Sequence, residues 1–208
     1  MGKKINLLKK SYILGLWCAD GYHRTSSVGL TNCNVKLVLK FYKFFENLYS
    51  KSRIKMRIYL PKTKNPDLRI VKIVNNNYNE CLNFKGNVVA YQVYVNDRKL
   101  LNQFKRSRNN RLELKKEKIL QYMCGRFDGD GSINNNLRSE MRIVYGSLEE
   151  AQIDRQLFTK LKLDTRLYHY KTANTYCVYY TVDSTKKIVK DMKQYSTKIF
   201  DKFTLRDL

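Results

Sequence analysis

The stretch GRFDGDGSI, residues 125–133, places Asp128 and Asp130 among three glycines. An earlier stretch, GLWCADGYH at residues 15–23, has the same plan, with Asp20 directly before a glycine. The chain of 208 residues contains only nine glycines, and its 41 Lys and Arg residues far outnumber its 18 Asp and Glu residues. An acidic, glycine-flanked segment in each half of such a basic chain therefore needs a specific explanation.

The net charge of the chain is +23, which exceeds what solubility requires and indicates a polyanionic partner. Nucleic acid is the first candidate and a membrane surface is the second. The sequence has no long uncharged apolar run, and its start, MGKKINLLKK, has neither a signal-peptide pattern nor an N-myristoylation pattern. We therefore expect a nucleic-acid partner and no membrane.

The five cysteines are an odd number and include no CxxC pair. This argues against a disulfide framework or a zinc site, and it favours a reducing compartment inside a cell, either a bacterial or archaeal cytoplasm or an organelle. Only two histidines are present, so the chain is a poor candidate for a histidine-based nuclease.

Each half of the sequence predicts the same order of elements: helix, two strands, helix, two strands, helix. Apolar residues at helical spacing precede each Asp-Gly, so Gly21 and Gly131 should end the first helix of each half. The predicted strands are roughly 22–32, 52–60 and 88–95 in the first half, and roughly 132–145, 165–171 and 176–183 in the second, where 22–32 and 132–145 are hairpins. The closing helices should lie near 97–106 and 184–195.

The predicted division is a first half at 1–106, a linker at 107–116 and a second half at 117–208. Residues 61–87 have no counterpart in the second half and contain both prolines, so they read as an insertion in which 68–74 is a candidate strand. Two halves of any α+β protein look alike at this coarse level. Here the Asp-Gly helix ends, the amphipathic helices and the strands all recur in the same order.

A small residue follows a glycine at a spacing of four in both motif helices, as Gly15 with Ala19 and Gly125 with Gly129. Residues four apart lie on the same face of a helix, so each pair leaves a flat strip there, which allows two helices to approach closely. If they pack side by side, Asp20 and Asp130 become neighbours at helix ends, where backbone carbonyls add partial negative charge. Divalent cations would neutralise such a cluster, and oxygen ligands select Mg²⁺, Ca²⁺ or Mn²⁺.

The segments ILGLWCADG (13–21) and MCGRFDGDG (123–131) resemble the two motifs of a single-chain LAGLIDADG homing endonuclease. The resemblance extends over nearly the whole chain. It implies an α+β fold of two pseudo-symmetric αββαββα halves, packed through the motif helices, whose sheets form a saddle in the DNA major groove. It also implies that Asp20 and Asp130 bind divalent metal, with help from the carbonyls of Ala19 and Gly129.

The function that the resemblance implies is site-specific cleavage of double-stranded DNA with Mg²⁺. Mn²⁺ is expected as a substitute, and Ca²⁺ is expected to support binding. One acid per half matches one scissile phosphate per strand, so we expect a monomer on a long, asymmetric site. The absence of protein-splicing blocks favours an intron-encoded or free-standing gene.

Members of this family place a polar and a basic residue beside the metals. Asn32, at the end of its strand, is the candidate polar residue, and Tyr145 has the equivalent place in the second half. For the basic residue the sequence offers only Arg24 and Arg138 as weak candidates.

The two motifs also differ from each other. The first has Cys18 where the second has Asp128, so Asp128 is expected to have a surface or interface role and to be dispensable for cleavage. Arg126 occupies a position that is apolar in the family motif, and we expect it to face either the phosphate backbone or solvent.

Strand residues should recognise the DNA, because a two-stranded ribbon fits the major groove, where each base pair has its own pattern of donors and acceptors. Residues 52–60 alternate between apolar and basic positions, which predicts one core face and one basic face. The alternative for each Arg or Lys is a phosphate contact or a solvated charge. The candidate DNA-contacting residues are Arg53, Lys55, Arg57 and Tyr59 in the first half, and Arg142, Arg166, Tyr168 and Tyr170 in the second.

Three other functions would explain part of this pattern. An RNA-binding intron maturase or splicing cofactor would have the same fold and charge. A DNA-binding regulator on this fold would be marked by loss of the motif acids, which are both present here. A basic ribosomal or packaging protein would explain the charge but not the paired motif helices.

Overall fold

The structure is a computed structural model, and it describes residues 6–7, 9–62, 65–73, 78–82, 86–134 and 140–202. The predicted order of elements is confirmed in both halves. The first half contains α1 (Ser11–Asp20), β1 (Gly21–Arg24), β2 (Ser27–Asn32), α2 (Val35–Glu46), β3 (Lys55–Leu60), α3 (Leu68–Ile73), β4 (Asn79–Leu82), β5 (Ala90–Asn96) and α4 (Arg98–Asn109). The second half contains α5 (Lys116–Asp130), β6 (Gly131–Asn134), β7 (Glu140–Tyr145), α6 (Leu148–Lys160), β8 (Thr165–Tyr170), β9 (Thr175–Tyr180), α7 (Val182–Met192) and α8 (Thr197–Lys202).

The two sheets have the same strand order once the insertion is set aside. The first is β1-β2-β5-β3-β4 and the second is β6-β7-β9-β8. All pairs are antiparallel except β3 with β4. The second helix of each half begins in the same way, because the side chains of Asn34 and Ser147 accept hydrogen bonds from backbone N–H groups of the first turn. The mixed α+β class and the internal repeat are thus features of the structure itself.

The insertion has a helix where a strand was predicted. Residues 68–73 form α3, and the added strand is β4, which pairs parallel to β3 at the edge of the sheet, with Ile58 opposite Glu80. The β-branched composition of 68–74 misled the prediction, because tertiary contacts override strand propensity in so short a segment. The backbone N–H of Asp67 donates to the Tyr91 hydroxyl at 2.7 Å, and the buried Ile70 donates its own N–H to the Asp67 carbonyl at 3.1 Å.

The predicted linker is partly structured. Helix α4 extends through Asn109, a 3₁₀ turn occupies Arg111–Glu113, and α5 already begins at Lys116. The Arg111 side chain is buried and lies 2.9 Å from both Asp154 and Glu150 of α6. A basic residue that reads as solvated linker is therefore part of a buried ion-pair network.

Contacts between residues group the chain into two compact units, one of Asp20–Lys105 and one of Asn6–Ala19 with the chain from Arg106 onward. The first motif helix, through Ala19, thus belongs by its contacts to the second unit. In the first unit α2 packs on the sheet, and Phe41, Phe45 and Phe104 form a cluster of contacting rings. In the second unit α5 and α6 pack on the sheet, where the Phe158 ring contacts that of Tyr180. The half boundaries at 106 and 117 stay a sequence-based prediction.

Helices α1 and α5 meet at two glycines within the second unit. A Cβ atom on Gly15 would overlap the Tyr122 carbonyl oxygen. A Cβ atom on Gly125 would overlap the Tyr12 carbonyl oxygen and lie 2.6 Å from the Leu16 nitrogen. The obstacles are backbone atoms on both sides, so no rotamer change can relieve them. The predicted close approach of the two helices at Gly15 and Gly125 is present.

We expect Gly125→Ala to lower the free energy of unfolding by about 2 kcal/mol. Overpacking against rigid atoms costs about 3 kcal/mol at the upper end of its usual range, and the better helix propensity of alanine returns about 1 kcal/mol. Chemical denaturation followed by circular dichroism measures the difference.

The matched control for this substitution is Gly146→Ala, because a Cβ at exposed Gly146 meets nothing within 4 Å. Its effect should stay within about 0.5 kcal/mol. Equal effects of the two substitutions would contradict close backbone packing at Gly125.

Candidate functional site

The acid of the first motif is Asp20, the last residue of α1. Asn32, at the end of β2, donates from Nδ2 to Asp20 Oδ2 at 2.7 Å. The Asn32 Oδ1 atom accepts from the backbone N–H of Asn34 at 2.6 Å, which fixes the orientation of the amide. The structure therefore brings together two residues that sequence reasoning placed in one site, and it gives Asn32 the role of orienting the Asp20 carboxylate.

The acid of the second motif is Asp130, the last residue of α5, and its side chain is about one-third exposed. Its Oδ2 atom lies 3.5 Å from Arg126 Nη1, one helical turn earlier. Burial raises the pKa of the Asp130 carboxyl, and the positive charges of Arg126 and Lys198 oppose that rise. Asp20, for its part, accepts a hydrogen bond from the neutral amide of Asn32.

Arg126 is buried, so the expectation that it faces phosphate or solvent is wrong. Its guanidinium lies over the ring of Tyr145, 4.5 Å from the ring centroid, and its Nε is 3.3 Å from Asp154 Oδ2. Tyr145 is also buried and serves as this platform, so it does not match Asn32 as the polar residue of the second half. Arg126 is buried because α6 supplies the buried carboxylate of Asp154, which the motif does not reveal.

Asp154 joins three elements of the second unit. It accepts from the Tyr122 hydroxyl of α5 at 3.0 Å and from Arg111 Nε at 2.9 Å, in addition to its contact with Arg126. A fully buried carboxylate is stable only when such partners compensate the lost hydration. The sequence gave no sign that Asp154 is buried, because Asp is common on the solvated face of an amphipathic helix such as α6.

Asp128 is fully buried, which makes its predicted interface role correct and its predicted surface role wrong. Its carboxylate accepts from the Tyr12 hydroxyl at 2.6 Å, the Ser196 hydroxyl at 2.5 Å, and the backbone N–H groups of Thr197 and Lys198 at 2.7 and 3.0 Å. It thus caps the first turn of α8 and ties α1, α5 and α8 together. Cys18, at the same place in the first motif, offers no comparable acceptor.

Lys198 is a basic residue at the second motif that sequence reasoning missed. Its Nζ donates to the carbonyl oxygens of Gly129 at 2.8 Å and Gly131 at 3.0 Å, and more weakly to that of Phe127 at 3.4 Å. The Gly129 carbonyl, which was predicted to help bind metal, therefore already has an ammonium partner. No motif marks Lys198, since it lies almost 70 residues after α5 in the sequence and the cap at Asp128 brings it beside that helix.

The weak candidates for the basic residue do not gain support. Arg24 is exposed at the hairpin end of β1, where it pairs with Ser27. Arg138 lies outside the described residues.

The donors at the two motif ends suit a hard divalent cation but do not enclose one. Across the described ranges, no group of three or more His, Cys, Asp and Glu side chains is placed to hold a metal ion. Mg²⁺ commonly binds through one or two carboxylates and completes its shell with water and substrate phosphates. A single carboxylate at each motif end, Asp20 and Asp130, fits that mode, as does the carbonyl of Ala19.

Strand β3 carries two of the three basic residues predicted to contact DNA in the first half, the exposed Lys55 and the half-buried Arg57. Lys55, Arg57 and Tyr59 alternate with Met56 and Ile58, which are buried. This confirms the predicted two-faced strand from Lys55 onward.

Arg53 lies outside β3, which begins at Lys55 and not at residue 52. It belongs to a 3₁₀ turn in which the Arg53 N–H donates to Ser50 and the Ile54 N–H donates to Lys51. Its guanidinium lies 4.8 Å from the centroid of the Tyr49 ring. The turn precedes the pleat, so Arg53 does not share the alternation of the strand.

The second sheet places its four predicted residues on one face. Arg142 and Arg166 both lie opposite Tyr179 in the strand register, and Tyr168 and Tyr170 follow Arg166 at a spacing of two. Tyr179, which the sequence reasoning overlooked, organises this face. Its hydroxyl accepts from Arg142 Nη1 at 3.0 Å and lies 2.8 Å from the Tyr170 hydroxyl, while its ring meets that of Tyr168 edge to face.

Tyr168 and Tyr170 are each 47% exposed, so large aromatic surfaces and arginines stand together in solvent. The hydrogen bond with the Tyr179 hydroxyl raises the pKa of Tyr170 to about 12. Such a face can contact both bases and phosphates. No helix in the described part of the chain is long and apolar enough to cross a membrane.

Comparison of the whole fold with solved structures finds the same architecture. A mesophilic variant of the homing endonuclease I-DmoI matches with a TM-score of 0.62 over 90% of this chain and 96% of that one, at 14% identity. The complex of I-DmoI with DNA and Ca matches with a TM-score of 0.62 over 93% of this chain and 96% of that one, at 13% identity. The chain has the LAGLIDADG fold. Identity this low establishes the fold alone.

The LAGLIDADG fold of this chain is shared by a second group of proteins. Full-length DUF199/WhiA from Thermatoga maritima matches with a TM-score of 0.58 at 11% identity, over 97% of this chain and 60% of that one. No protein-family model matches the chain, and no curated protein matches its sequence. The function must therefore be argued from the residues that this chain places on the fold.

We expect Asp128→Asn to lower the free energy of unfolding by about 2–3 kcal/mol, because hydrogen bonds to a buried charge are worth about 1.5–3 kcal/mol each and the new amide would direct N–H groups at existing donors. The C-terminal segment that begins at Ser196 should become sensitive to protease. Thermal melting and limited proteolysis measure both effects. Asp191→Asn, an exposed change on α7, is the control, and an Asp128→Asn protein as stable and protease-resistant as this control would contradict the capping role.

Proposed function

We propose that the protein is an endonuclease that cuts double-stranded DNA at a specific site with the help of divalent metal, each half acting on one strand. The observation that carries this proposal is that both motif helices end on an aspartate, Asp20 and Asp130, while the third motif acid is buried in a structural role. A chain that kept the fold for binding alone would have no use for both helix-end acids.

In this proposal Asp20 and Asp130 hold Mg²⁺ or Mn²⁺ together with DNA phosphates, and the Ala19 carbonyl assists in the first half. When bound there, a divalent ion would supply a water of lowered pKa and positive charge for the developing negative charge on the phosphate. Asn32 holds the Asp20 carboxylate in one orientation through its 2.7 Å hydrogen bond. Arg126, itself fixed by Asp154 and Tyr145, keeps a positive charge beside Asp130 and favours its ionised form.

We propose that the two exposed sheet faces contact the DNA. The net charge of +23 supplies the attraction for phosphates, and the strand faces present arginine, lysine and tyrosine side chains of the size that reaches base edges. The faces differ in sequence, and only the first sheet has the additional strand β4. A long, asymmetric target bound by a single copy of the chain follows from these differences. I-DmoI, which has the same fold, is known in complexes with DNA and with Mn or Ca.

We place the protein inside the cell, since none of its five cysteines forms a disulfide. An intron-encoded or free-standing gene is part of the same proposal.

A second candidate is a nucleic-acid-binding protein that does not cut. The likeness to DUF199/WhiA as well as to an endonuclease favours it, because the fold by itself does not decide between binding and cleavage. The two candidates differ in what the helix-end acids do, and direct substitution separates them.

We expect Asp20→Asn and Asp130→Asn each to abolish double-strand cleavage in Mg²⁺ while binding to duplex DNA in Ca²⁺ persists or tightens. Each change keeps the side-chain shape and removes a negative charge that would face the phosphates. A target selected from a randomised duplex library serves as substrate, and cleavage is followed on each labelled strand.

The control for these substitutions is again Asp191→Asn, which removes an equal charge from an exposed position on α7 and should cut normally. Full double-strand cleavage by either Asp20→Asn or Asp130→Asn would contradict the proposed mechanism. A wild-type protein that binds duplex DNA but never cuts it would favour the second candidate.

DNA affinity should fall steeply with salt, because lysines and arginines that neutralise phosphates release counterions. Lys55→Gln and Arg166→Gln should each reduce the slope of log affinity against log salt by about 1 if the residue contacts a phosphate. Fluorescence-anisotropy titrations at several salt concentrations measure the slope. Lys190→Gln on α7 is the control and should leave it unchanged, whereas a flat dependence for the wild type would argue against a nucleic-acid ligand.

A further inference from the structure

The Arg142 guanidinium is held from both sides by neighbouring strands of the second sheet. Its Nε donates to the Ser132 hydroxyl of β6 at 2.8 Å, and its Nη1 donates to the Tyr179 hydroxyl of β9 at 3.0 Å. The strand register places four residues in one row across the sheet, namely Ser132, Arg142, Tyr179 and Arg166. Arg142 is nevertheless exposed, so the sheet presents a positioned guanidinium to solvent.

Tyr179, which anchors this guanidinium, is itself held in place. Its hydroxyl lies 2.8 Å from the Tyr170 hydroxyl, and the Tyr168 ring meets its ring edge to face with the centroids 5.4 Å apart. A free arginine side chain loses much rotamer freedom when it binds a ligand. A guanidinium that the protein has already positioned loses less and binds in a defined direction.

The guanidinium of Arg142 keeps donors for a ligand. Arginine has five N–H donors, and the hydrogen bonds to Ser132 and Tyr179 use two of them. Both of these partners are neutral hydroxyls, so they do not cancel the positive charge. The N–H groups of Nη2 belong to neither hydrogen bond, and a planar guanidinium can direct two parallel N–H groups at a pair of acceptors.

Guanine is the base whose edge in the major groove matches two parallel donors. It presents the acceptors O6 and N7 side by side, whereas adenine presents an amino donor beside its N7 and cytosine presents an amino donor. Phosphate oxygens also accept from arginine, but contacts to phosphates carry no sequence information and need no fixed side-chain direction. The fixed direction of Arg142 therefore favours a base over a phosphate.

The row of four residues begins close to the second motif. Ser132 is the second residue after Asp130, so the geometry of the chain places their Cα atoms at most about 7 Å apart. A base that Arg142 contacts should therefore lie in the inner part of its half-site, near the phosphate on which the Asp130 end would act.

We propose that Arg142 reads one guanine in the major groove of the second half-site, and that Ser132 and Tyr179 are the positioning residues that make this contact specific. This assignment rests on the DNA contact of the sheet faces in the proposed function, but it does not require cleavage. Arg166, exposed at the other end of the row, contacts phosphate and affects all sequences alike.

The first test selects preferred sites from a randomised duplex library in Ca²⁺ with full-length protein. Wild-type sites should share one guanine that the sites of Arg142→Ala lack, and adenine in its place should weaken wild-type binding by about tenfold or more. Arg166→Ala, which removes an equal charge from the same row, should weaken binding to every site and keep the guanine. Equal losses of affinity on guanine and adenine sites in Arg142→Ala would show a phosphate contact and overturn the proposal.

The second test removes single atoms of the selected guanine. A 7-deazaguanine lacks the N7 acceptor and should weaken wild-type binding by about fivefold or more in fluorescence-anisotropy titrations, with no further effect on Arg142→Ala. Inosine, which lacks only the amino group in the minor groove, is the control and should bind as guanine does. An equal effect of 7-deazaguanine on both proteins would exclude Arg142 as the reader of this base.

The positioning residues are tested by removing one hydroxyl at a time. Ser132→Ala and Tyr179→Phe leave Arg142 and its charge in place, so each should reduce the preference for guanine over adenine by about fivefold while the salt dependence of binding stays that of the wild type. Ser132→Thr, which restores a hydroxyl, should restore the preference. An undiminished preference in both Ser132→Ala and Tyr179→Phe would overturn the positioning role.

Failure of this assignment is distinguishable from failure of the proposed function. A wild type that binds its selected duplex but does not cut it in Mg²⁺ would refute the proposed cleavage, while loss of the guanine from the sites of Arg142→Ala would still support the assignment. A wild type that cuts selected sites with no fixed guanine in either half-site would support the proposed function and overturn the assignment.

Discussion

The close contact between α1 and α5 is the constraint on which the rest of the structure depends. Gly15 and Gly125 let backbone meet backbone, and a single methyl group on either would overlap a carbonyl oxygen of the opposite helix. Each helix ends on an aspartate and passes directly into the first strand of its own sheet.

Buried charge supports this arrangement on the side of α5. The charges of Arg126 and Arg111 compensate the buried charge of Asp154, and all three residues are buried. Tyr122, which like Arg126 lies on α5, donates a hydrogen bond to Asp154. Asp128 has a comparable role toward α8. Such groups are costly to bury singly and stable only as a set, so they hold the motif helix in one position. The second acid, Asp130, lies at the edge of this network, 3.5 Å from Arg126.

The two halves share strand order and differ in what they display. The first sheet presents Lys55, Arg57 and Tyr59 and is extended by β4, while the second presents arginines and tyrosines gathered around Tyr179. In the proposed function, these unlike faces bind a duplex whose two half-sites differ in sequence. The halves are thus equivalent in strand order and unequal in the side chains that they display.

The sequence by itself determined the order of elements, the internal repeat and the glycine contact, whereas Asn32 was placed beside Asp20 only through the family resemblance. These features rest on local patterns, namely periodicity, helix stops at Asp-Gly and alternation along strands, which are readable because neighbours in the chain produce them. Only the tertiary structure decided the roles of Arg126, Asp128 and Lys198, and the helix at 68–73 in place of a strand. Each of these depends on a partner distant in sequence, such as Asp154 for Arg126 and the carbonyl of Gly129 for Lys198. A charged side chain looks the same in a sequence whether it is solvated or buried, because its energy is set by the groups that the fold brings beside it.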